Sequence, residues 1–542
     1  MEDEPVSDRQ PPPPKEASND EVKASNPPSL SSPEKDNYFE GIKLWAIPTI
    51  TSQFKSTTDI SWYGSAYFLT TCSLQPLSGK IYSVFPKRNT FFLYLALFEI
   101  GSLVCATAPN SRALIAGRAI AGAGSAGLFS GAITIMAVTI EMRKRATCLS
   151  VITSMYGIAT VAGPLIGGSL TEKVGWRWCE HSLRGLAQSS FYINLPIGAV
   201  TAFVICLVFK PPKQSASTKT LLQNILSLDL PGCAMFVSAC IMLLLALQWG
   251  GNTYPWKSAT ILGLLLGFVP LMVSFVLWER RKGTAAMIPS HILLQRTVIT
   301  ACPSMFLQMG GSLLIVYYLP IWLQVVHGAT PSQSGVMVLP TVLSQISFSL
   351  LSSLLLQKVG YYNVWILLGL PITAIGNALM GTFTTRSTAV QWICYQIVSG
   401  AGRGMVMQMP ILAVQNALNS EEEAIGTGLV IFSQFFGATV LVSLGQTTFV
   451  NLLYKFVYQY APDVDPQMLI KAGLKVHGLI PTAQLANVLF AYNKAVTGTF
   501  YVAVGTSVFA IIPALGIEWK RVPSKKKLSQ EEAGTDLQVV PA

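Results

Sequence analysis

Leu114-Ile115-Ala116-Gly117-Arg118-Ala119-Ile120-Ala121-Gly122-Ala123-Gly124 is apolar or glycine at every position but one. It lies in a window over about 113–138 that is long enough to cross roughly 30 Å of hydrocarbon at about 1.5 Å per residue. The single charge, Arg118, costs several kcal/mol at that depth unless it faces a cavity or a partner. Twelve further windows of the same kind occur, at about 62–78, 90–108, 148–170, 191–209, 229–248, 258–278, 298–323, 333–356, 362–382, 389–414, 425–447 and 497–518. The chain has 542 residues, of which 51% are apolar and 12% charged. Soluble domains carry about a quarter charged residues, so the composition and the windows together give an all-α polytopic membrane protein.

The formal charge of +11 does not signal nucleic acid, because Lys and Arg cluster in the connections between windows. Lys87, Arg88, Arg143, Lys144, Arg145, Lys210, Lys213, Lys219, Arg280, Arg281, Lys282, Arg296 and Lys358, with the C-terminal cluster from Lys520 to Lys527, fall on one side, which is eighteen cations. The short loops of the other side hold six: Arg112, Lys173, Arg177, Arg184, Lys257 and Arg386. The richer side is therefore read as cytosolic. Residues 1–40, with the run Pro11–Pro14, read as a disordered cytosolic-type tail. Nine cysteines lie mostly inside apolar windows without a CxxC pair or a His cluster, so neither a disulfide framework nor a metal site is indicated.

The remaining division follows from the windows. Residues 41–210 form an N-terminal helical half and 211–228 a cytosolic linker. Two extra helices at 229–278 and a second cytosolic linker at 279–297 follow. Residues 298–518 form a C-terminal half with a long extracytoplasmic loop at about 448–496, and 519–542 a cytosolic tail. Thirteen spans with a cytosolic C-terminus would put the N-terminal tail outside. At Gly41–Ile50 the chain begins like the entry to a membrane helix and ends like the exit from one, with about twenty residues short between them. One more helix there would make fourteen spans with both termini inside.

Four local patterns carry chemistry. Gly79-Lys80-Ile81-Tyr82-Ser83-Val84-Phe85-Pro86-Lys87-Arg88 follows the 62–78 window; glycine lets helix ends approach, and cations bond the exposed carbonyls of a neighbouring helix. Arg118 is the second, with Glu99 in the preceding window as its expected partner. Gly157 followed by Gly163-Pro164-Leu165-Ile166-Gly167-Gly168 is the third, small residues for tight contact and a Pro for a kink. The fourth is Gly400-Ala401-Gly402-Arg403-Gly404 with Gln408 and Pro410.

In this order these patterns resemble the major facilitator superfamily: its inter-helix loop motif, its helix-4 Arg motif and its helix-5 antiporter motif. Trp62–Tyr67, Leu228–Gly232, Trp249–Gly251 and Tyr317–Trp322 resemble its fungal fourteen-spanner drug:proton antiporters, a branch that includes toxin and multidrug efflux pumps. The resemblance implies two six-helix halves that rock about a central site, with two linking helices between them. It implies export of a small organic molecule, such as a drug, toxin or fungal secondary metabolite, by proton antiport from the plasma membrane, with a vacuolar or vesicle membrane as alternatives. Glu99 and Arg118 are then expected to form a pH-sensitive pair that couples proton entry to export. Gly79, Lys80, Lys87 and Arg88 are expected to latch one state, and Gly157, Gly163, Pro164, Gly167 and Gly168 to let the halves slide. Tyr317, Tyr318, Trp322, Arg403, Gln408 and Gln415 are candidates for the substrate cavity.

No GxxxxGK[ST] nucleotide loop and no catalytic constellation occur, so the expectation is a monomeric non-enzyme without cofactor, metal, nucleotide or nucleic-acid partner, run by a proton gradient in a lipid bilayer. Three departures from the family pattern stand. The Asp expected just before Ala46–Ile50 is absent with most of its helix, Ser83 stands where Asp is common, and Glu180–Ser190 interrupts a stretch that otherwise runs straight on. A non-transporting splice form or misassembled gene model without the first helix is one alternative reading, and an importer of the same fold is another.

Overall fold

The computed structural model describes residues 60–173, 194–209, 220–251, 254–472, 476 and 480–522. The tail 1–40, the interrupted helix near 44–50, the stretch 180–190 and the side chains of Gly163, Pro164, Gly167 and Gly168 lie outside it. The architecture is all-α; among the described residues there is no strand, only the isolated bridges Gly250–Tyr254 and Tyr361–Arg521.

Each of the thirteen apolar windows carries a helix. In the first half these are α1 (Ile60–Val84), α2 (Lys87–Ala106), α3 (Ser111–Thr139), α4 (Met142–Lys173) and α5 (Asn194–Val208). The linking pair is α6 (Leu230–Trp249) and α7 (Ala259–Lys282). The second half holds α8 (Arg296–Val325), α9 (Leu339–Val359), α10 (Tyr362–Gly381), α11 (Ala389–Val406), α12 (Met409–Ala417), α13 (Glu423–Tyr460) and α14 (Thr482–Phe509). Ten of the spans are long and apolar enough to cross a membrane by length and composition. Local chemistry starts several of them. Asn110 accepts from the Ala113 amide at α3, Ser258 from Ile261 at α7 and Gln295 from Val298 at α8. These side chains satisfy amides that the first turn leaves open. Arg280, Arg281 and Lys282 sit in the last turn of α7, where the helix dipole favours cations.

Glycine sets the packing of the first half. A Cβ on Gly117 would lie 2.8 Å from the Cys105 amide nitrogen, and one on Gly101 or Gly124 would collide with the backbone of Ala121 or Phe98. Thus α2 and α3 run backbone to backbone, which only small residues permit. Across the molecule, α1 crosses α13 and α4 packs along α9, joining the two halves. The linking helix α6 rests against both α1 and α13, whereas α7 packs mainly on α6 and is mostly exposed. Leu262, Leu266, Val269 and Val273 point outward from α7, as lipid-facing residues do.

The stretch expected as a long loop at 448–496 is largely helical. α13 runs on to Tyr460 and α14 begins at Thr482. Leu453, Val457 and Ala461 recur every fourth residue and pack with Val488, Ala491 and Ala495. A face of that kind prolongs two membrane helices as a packed hairpin.

Candidate functional site

Contacts between the halves gather at the end that carries the basic loops. A Cβ on Gly79 of α1 would lie 2.8 Å from the Ala424 carbonyl oxygen and 3.2 Å from the Ile425 Cα of α13. One turn earlier on the same helix, Gln75 presents its carbonyl toward Gly428. Arg145 forms a half-buried ion pair with Glu423 and also donates to the Ala137 carbonyl. Arg143 donates to the Gln357 carbonyl at 3.0 Å, and the Gln357 amide donates to Thr147 at 3.1 Å. Ser150 on α4 donates to the Ser349 carbonyl at 3.0 Å and shares a hydroxyl contact with Ser353 on α9. Buried apolar residues from α3, α4, α6, α9, α12 and α13 form one continuous core beneath these ties. This end is closed.

Within the expected latch residues, Lys80 is the most committed. It is 7% exposed and donates from Nζ to the Ala286 carbonyl at 2.9 Å. Arg88 donates to the Cys206 carbonyl of α5 at 3.4 Å and lies 5.8 Å from the Phe92 ring, while Lys87 faces Glu423 electrostatically. Gly157 meets Val342 and Ile346 of α9, where an added Cβ would come within 3.2 Å of Val342. That glycine therefore does lie on the seam between halves.

The Glu99–Arg118 pair is not made. Gly117, Ala121 and Gly124 turn toward α2, so Arg118, one residue and about 100° further round, turns away from it. Its Nε donates to the Tyr63 carbonyl at 2.6 Å, and its guanidinium lies 4.4 Å from the Tyr67 ring, both on α1. Phe98, Gly101 and Cys105 form the face of α2 that meets α3, so Glu99 likewise turns away. Its Oε1 abuts Gly198 of α5, its Oε2 is buried without a hydrogen-bond partner, and one turn on Ser102 accepts from Asn194 at 3.0 Å. Depth along the membrane places the two residues together; helical phase separates them.

Tyr318 and Trp322 are packed inside the core of the second half, and Tyr317 is half-buried beside Tyr318. Trp322 is fully buried, donates to Asn493 at 2.6 Å and stacks on Phe383 at 4.5 Å. Tyr318 is 1% exposed among Tyr317, Phe449 and the α14 residues of the same core. Gln415 reaches Thr427 at 3.5 Å within the closed end.

Arg403 and Gln408 fare differently. The span 389–417 breaks at Met407–Gln408, ahead of Pro410, and the break turns Gln408 across the seam to donate to Thr153 of α4 at 2.6 Å. Arg403 is 4% exposed with Nε and Nη2 unpartnered. Around the break Met309, Met407 and Ala438 come together from α8, α11–α12 and α13. Gln345 points its amide at the Met407 sulfur, 3.2 Å away, and Gln434 at that of Met309, 3.8 Å away. Gln308 beside them has both amide atoms buried and unpartnered. Gln308, Gln345 and Gln434 were not singled out in the sequence, although each is a polar residue inside an apolar window. Unsatisfied buried amides cost about 1–3 kcal/mol each, so Gln308 and Gln434 leave unmet hydrogen-bonding capacity inside the second half.

A Major Facilitator Superfamily model matches residues 41–442. The chain belongs to the major facilitator superfamily. It is 44% identical over 483 residues to the MFS-type efflux pump MFS1 of Arthroderma benhamiae, covering 89% of this chain and 88% of that one. It is 39% identical over 486 residues to the aspyridones efflux protein of Neocamarosporium betae, covering 89% and 84%. Among solved structures it superposes on the proton:xylose symporter XylE with a TM-score of 0.55 at 14% identity, covering 90% of this chain and 94% of that one, which is a likeness of fold. The chain is thus a multi-pass membrane transporter of fungal efflux-pump kinship, not an enzyme.

Proposed function

We propose that this protein is a secondary active exporter that moves a small, largely apolar but oxygenated organic molecule out of the cell by proton antiport. The observation that carries the reading is the set of buried polar groups around the Met309–Met407 contact: Gln345 against Met407, Gln434 against Met309, and the unpartnered Gln308 and Arg403 in the same spans as those methionines. Amide and guanidinium donors suit carbonyl and hydroxyl oxygens, and thioethers adapt to an apolar body of variable shape. The names of the fungal relatives support export as the direction, and secondary metabolites as the substrate class.

Alternating access supplies the mechanism. In the closed state described here, Gly79, Lys80, Arg143, Arg145 and Ser150 seal the cytosolic side, so the central level faces outward. Among the described residues of the first half, Glu99 is an acid inside an apolar window with a buried, unpartnered oxygen, and we assign it the transported proton. A plasma-membrane monomer is sufficient for this cycle.

The test is expression of the full chain in a yeast stripped of its own multidrug pumps, with a panel of fluorescent, oxygenated, largely apolar compounds. Accumulation of at least one should fall, and a protonophore should restore it. No change for any compound, with the protein present at the cell surface, would leave the non-transporting reading standing.

A further inference from the structure

The linking helices α6 and α7 hold a polar knot that the transport cycle above does not use. Asp229 caps α6 from the left-handed region, at φ 52°, the only described non-glycine residue with positive φ. Its Oδ1 accepts from Trp278 Nε1 at 2.8 Å and from the Gly232 amide at 3.4 Å. Its Oδ2 accepts from the Met287 amide at 3.4 Å. Glu279 on α7 accepts the Ile288 amide through Oε2 at 2.9 Å, and its Oε1 is buried without a partner. Both carboxyls converge on one glycine: a Cβ on Gly232 would lie 2.5 Å from Asp229 Oδ2 and 3.0 Å from Glu279 Oε1.

Two carboxyls that are 4% and 6% exposed grip adjacent backbone amides, and the residue just before them, Ala286, gives its carbonyl to Lys80. The groups facing the pair are Lys80 from α1 and the Cys233 thiol from α6. Lys282 turns instead to the Trp278 ring at 5.1 Å, and Arg280 and Arg281 are exposed. Among the described residues no cation forms an ion pair with either carboxylate, so both ionised at once would repel in a buried site.

We propose that Asp229 and Glu279 form a proton-binding site on the linking helices, one proton shared between Glu279 Oε1 and Asp229 Oδ2, which positions the Ala286 carbonyl to receive Lys80 and so holds the cytosolic gate shut. Loss of that proton to the cytosol leaves two carboxylates that push apart, the grip on the Met287 and Ile288 amides loosens, and Lys80 loses its acceptor. The extra helix pair is then a cytosolic pH sensor for the gate rather than a passive spacer between halves. Asp229 and Glu279 act as positioning residues through Ala286 and Lys80. The inference rests on the gated-export reading.

Hydrogen exchange on the 284–290 segment, measured on the full chain in lipid nanodiscs between pH 5 and 9 and corrected for intrinsic rates, tests it without any transported compound. Failure here would therefore leave the export reading intact. In the wild type, protection of the 287 and 288 amides should fall at least tenfold from the acidic to the alkaline end. Glu279→Gln supplies an amide donor in place of the proton while its remaining oxygen still accepts from Ile288, so it should keep the segment protected at every pH. Asp229→Asn gives up one of two accepting oxygens, and with it the Met287 or the Trp278 bond, so it should leave the Met287 amide weakly protected at every pH. A wild type whose protection does not change with pH overturns the proposal. So do variants that are folded, judged by exchange in α3, yet follow the wild-type pH profile.

Discussion

Gly79→Ala measures what the closeness of α1 and α13 does. The added Cβ would stand 2.8 Å from the Ala424 carbonyl oxygen, against an ordinary contact of 3.4 Å, so the two backbones must separate by about 0.6 Å. Both neighbours are main-chain atoms, which cannot swing aside as a side chain can. Overpacking of this kind costs about 1–3 kcal/mol, and it falls on the closed state, because the contact lies between halves that part in the other state. Alanine also favours any helix over glycine by up to about 1 kcal/mol, but it does so in both states and cancels from their ratio. The population with an open cytosolic side should rise about 5- to 150-fold. Ala146→Cys, at a fully buried position beneath the latch, reports this through its rate of maleimide labelling in a background freed of native cysteines. Gly64→Ala is the control, since nothing lies within 4 Å of a Cβ there. Labelling that is the same for Gly79→Ala and Gly64→Ala would refute the assignment of Gly79 to the gate.

Other outcomes follow from the same geometry. Arg145→Ala strands a Glu423 side chain that is only 11% exposed, so labelling should rise at least tenfold, and the double variant with Glu423→Ala should show a coupling of about 0.5–3 kcal/mol. Trp322→Ala removes a fully buried indole and its bond to Asn493; it should lower unfolding free energy by about 3–5 kcal/mol in a detergent melt while leaving the compound preference unchanged. Gln434→Ala should instead raise the half-saturating concentration for export several-fold with little change in the melt, since its amide oxygen has no partner to lose and its nitrogen only a 3.8 Å contact with the Met309 sulfur. Glu99→Gln should abolish export driven by a pH gradient and spare downhill exchange of labelled for unlabelled compound; full gradient-driven export by this variant would remove Glu99 from the coupling step.

Much of the fold is legible from hydropathy because a bilayer imposes one strong rule, about twenty apolar residues per helix, and ten of the described spans obey it. The close approach at Gly79 was legible as well, from a glycine followed by cations between two apolar windows, and the contact with Ala424 and Ile425 is where the structure places it. What hydropathy does not carry is helical phase. Glu99 and Arg118 stand at one depth but on faces set by Phe98 and Gly117, whose contacts only the packed pair reveals. Tyr318 and Trp322 have the chemistry of a ligand wall, yet the extension of α13 and α14 beyond the expected spans covers them. Gln308 and Gln434 were hidden for the opposite reason: a lone glutamine in an apolar run has no motif, and its meaning comes from the methionines that other helices bring to it.

The central claim is coupled export, and everted plasma-membrane vesicles carrying the full chain test it most directly. Vesicle lumens acidified by the resident proton pump are monitored with a pH-quenched dye, and the compounds whose accumulation the protein lowers in cells are added outside. Each such compound should enter the vesicles and release lumenal protons, recovering the fluorescence, and Glu99→Gln vesicles should not respond. Uptake of the compound that proceeds unchanged after the gradient is collapsed, with no release of protons, would contradict the account.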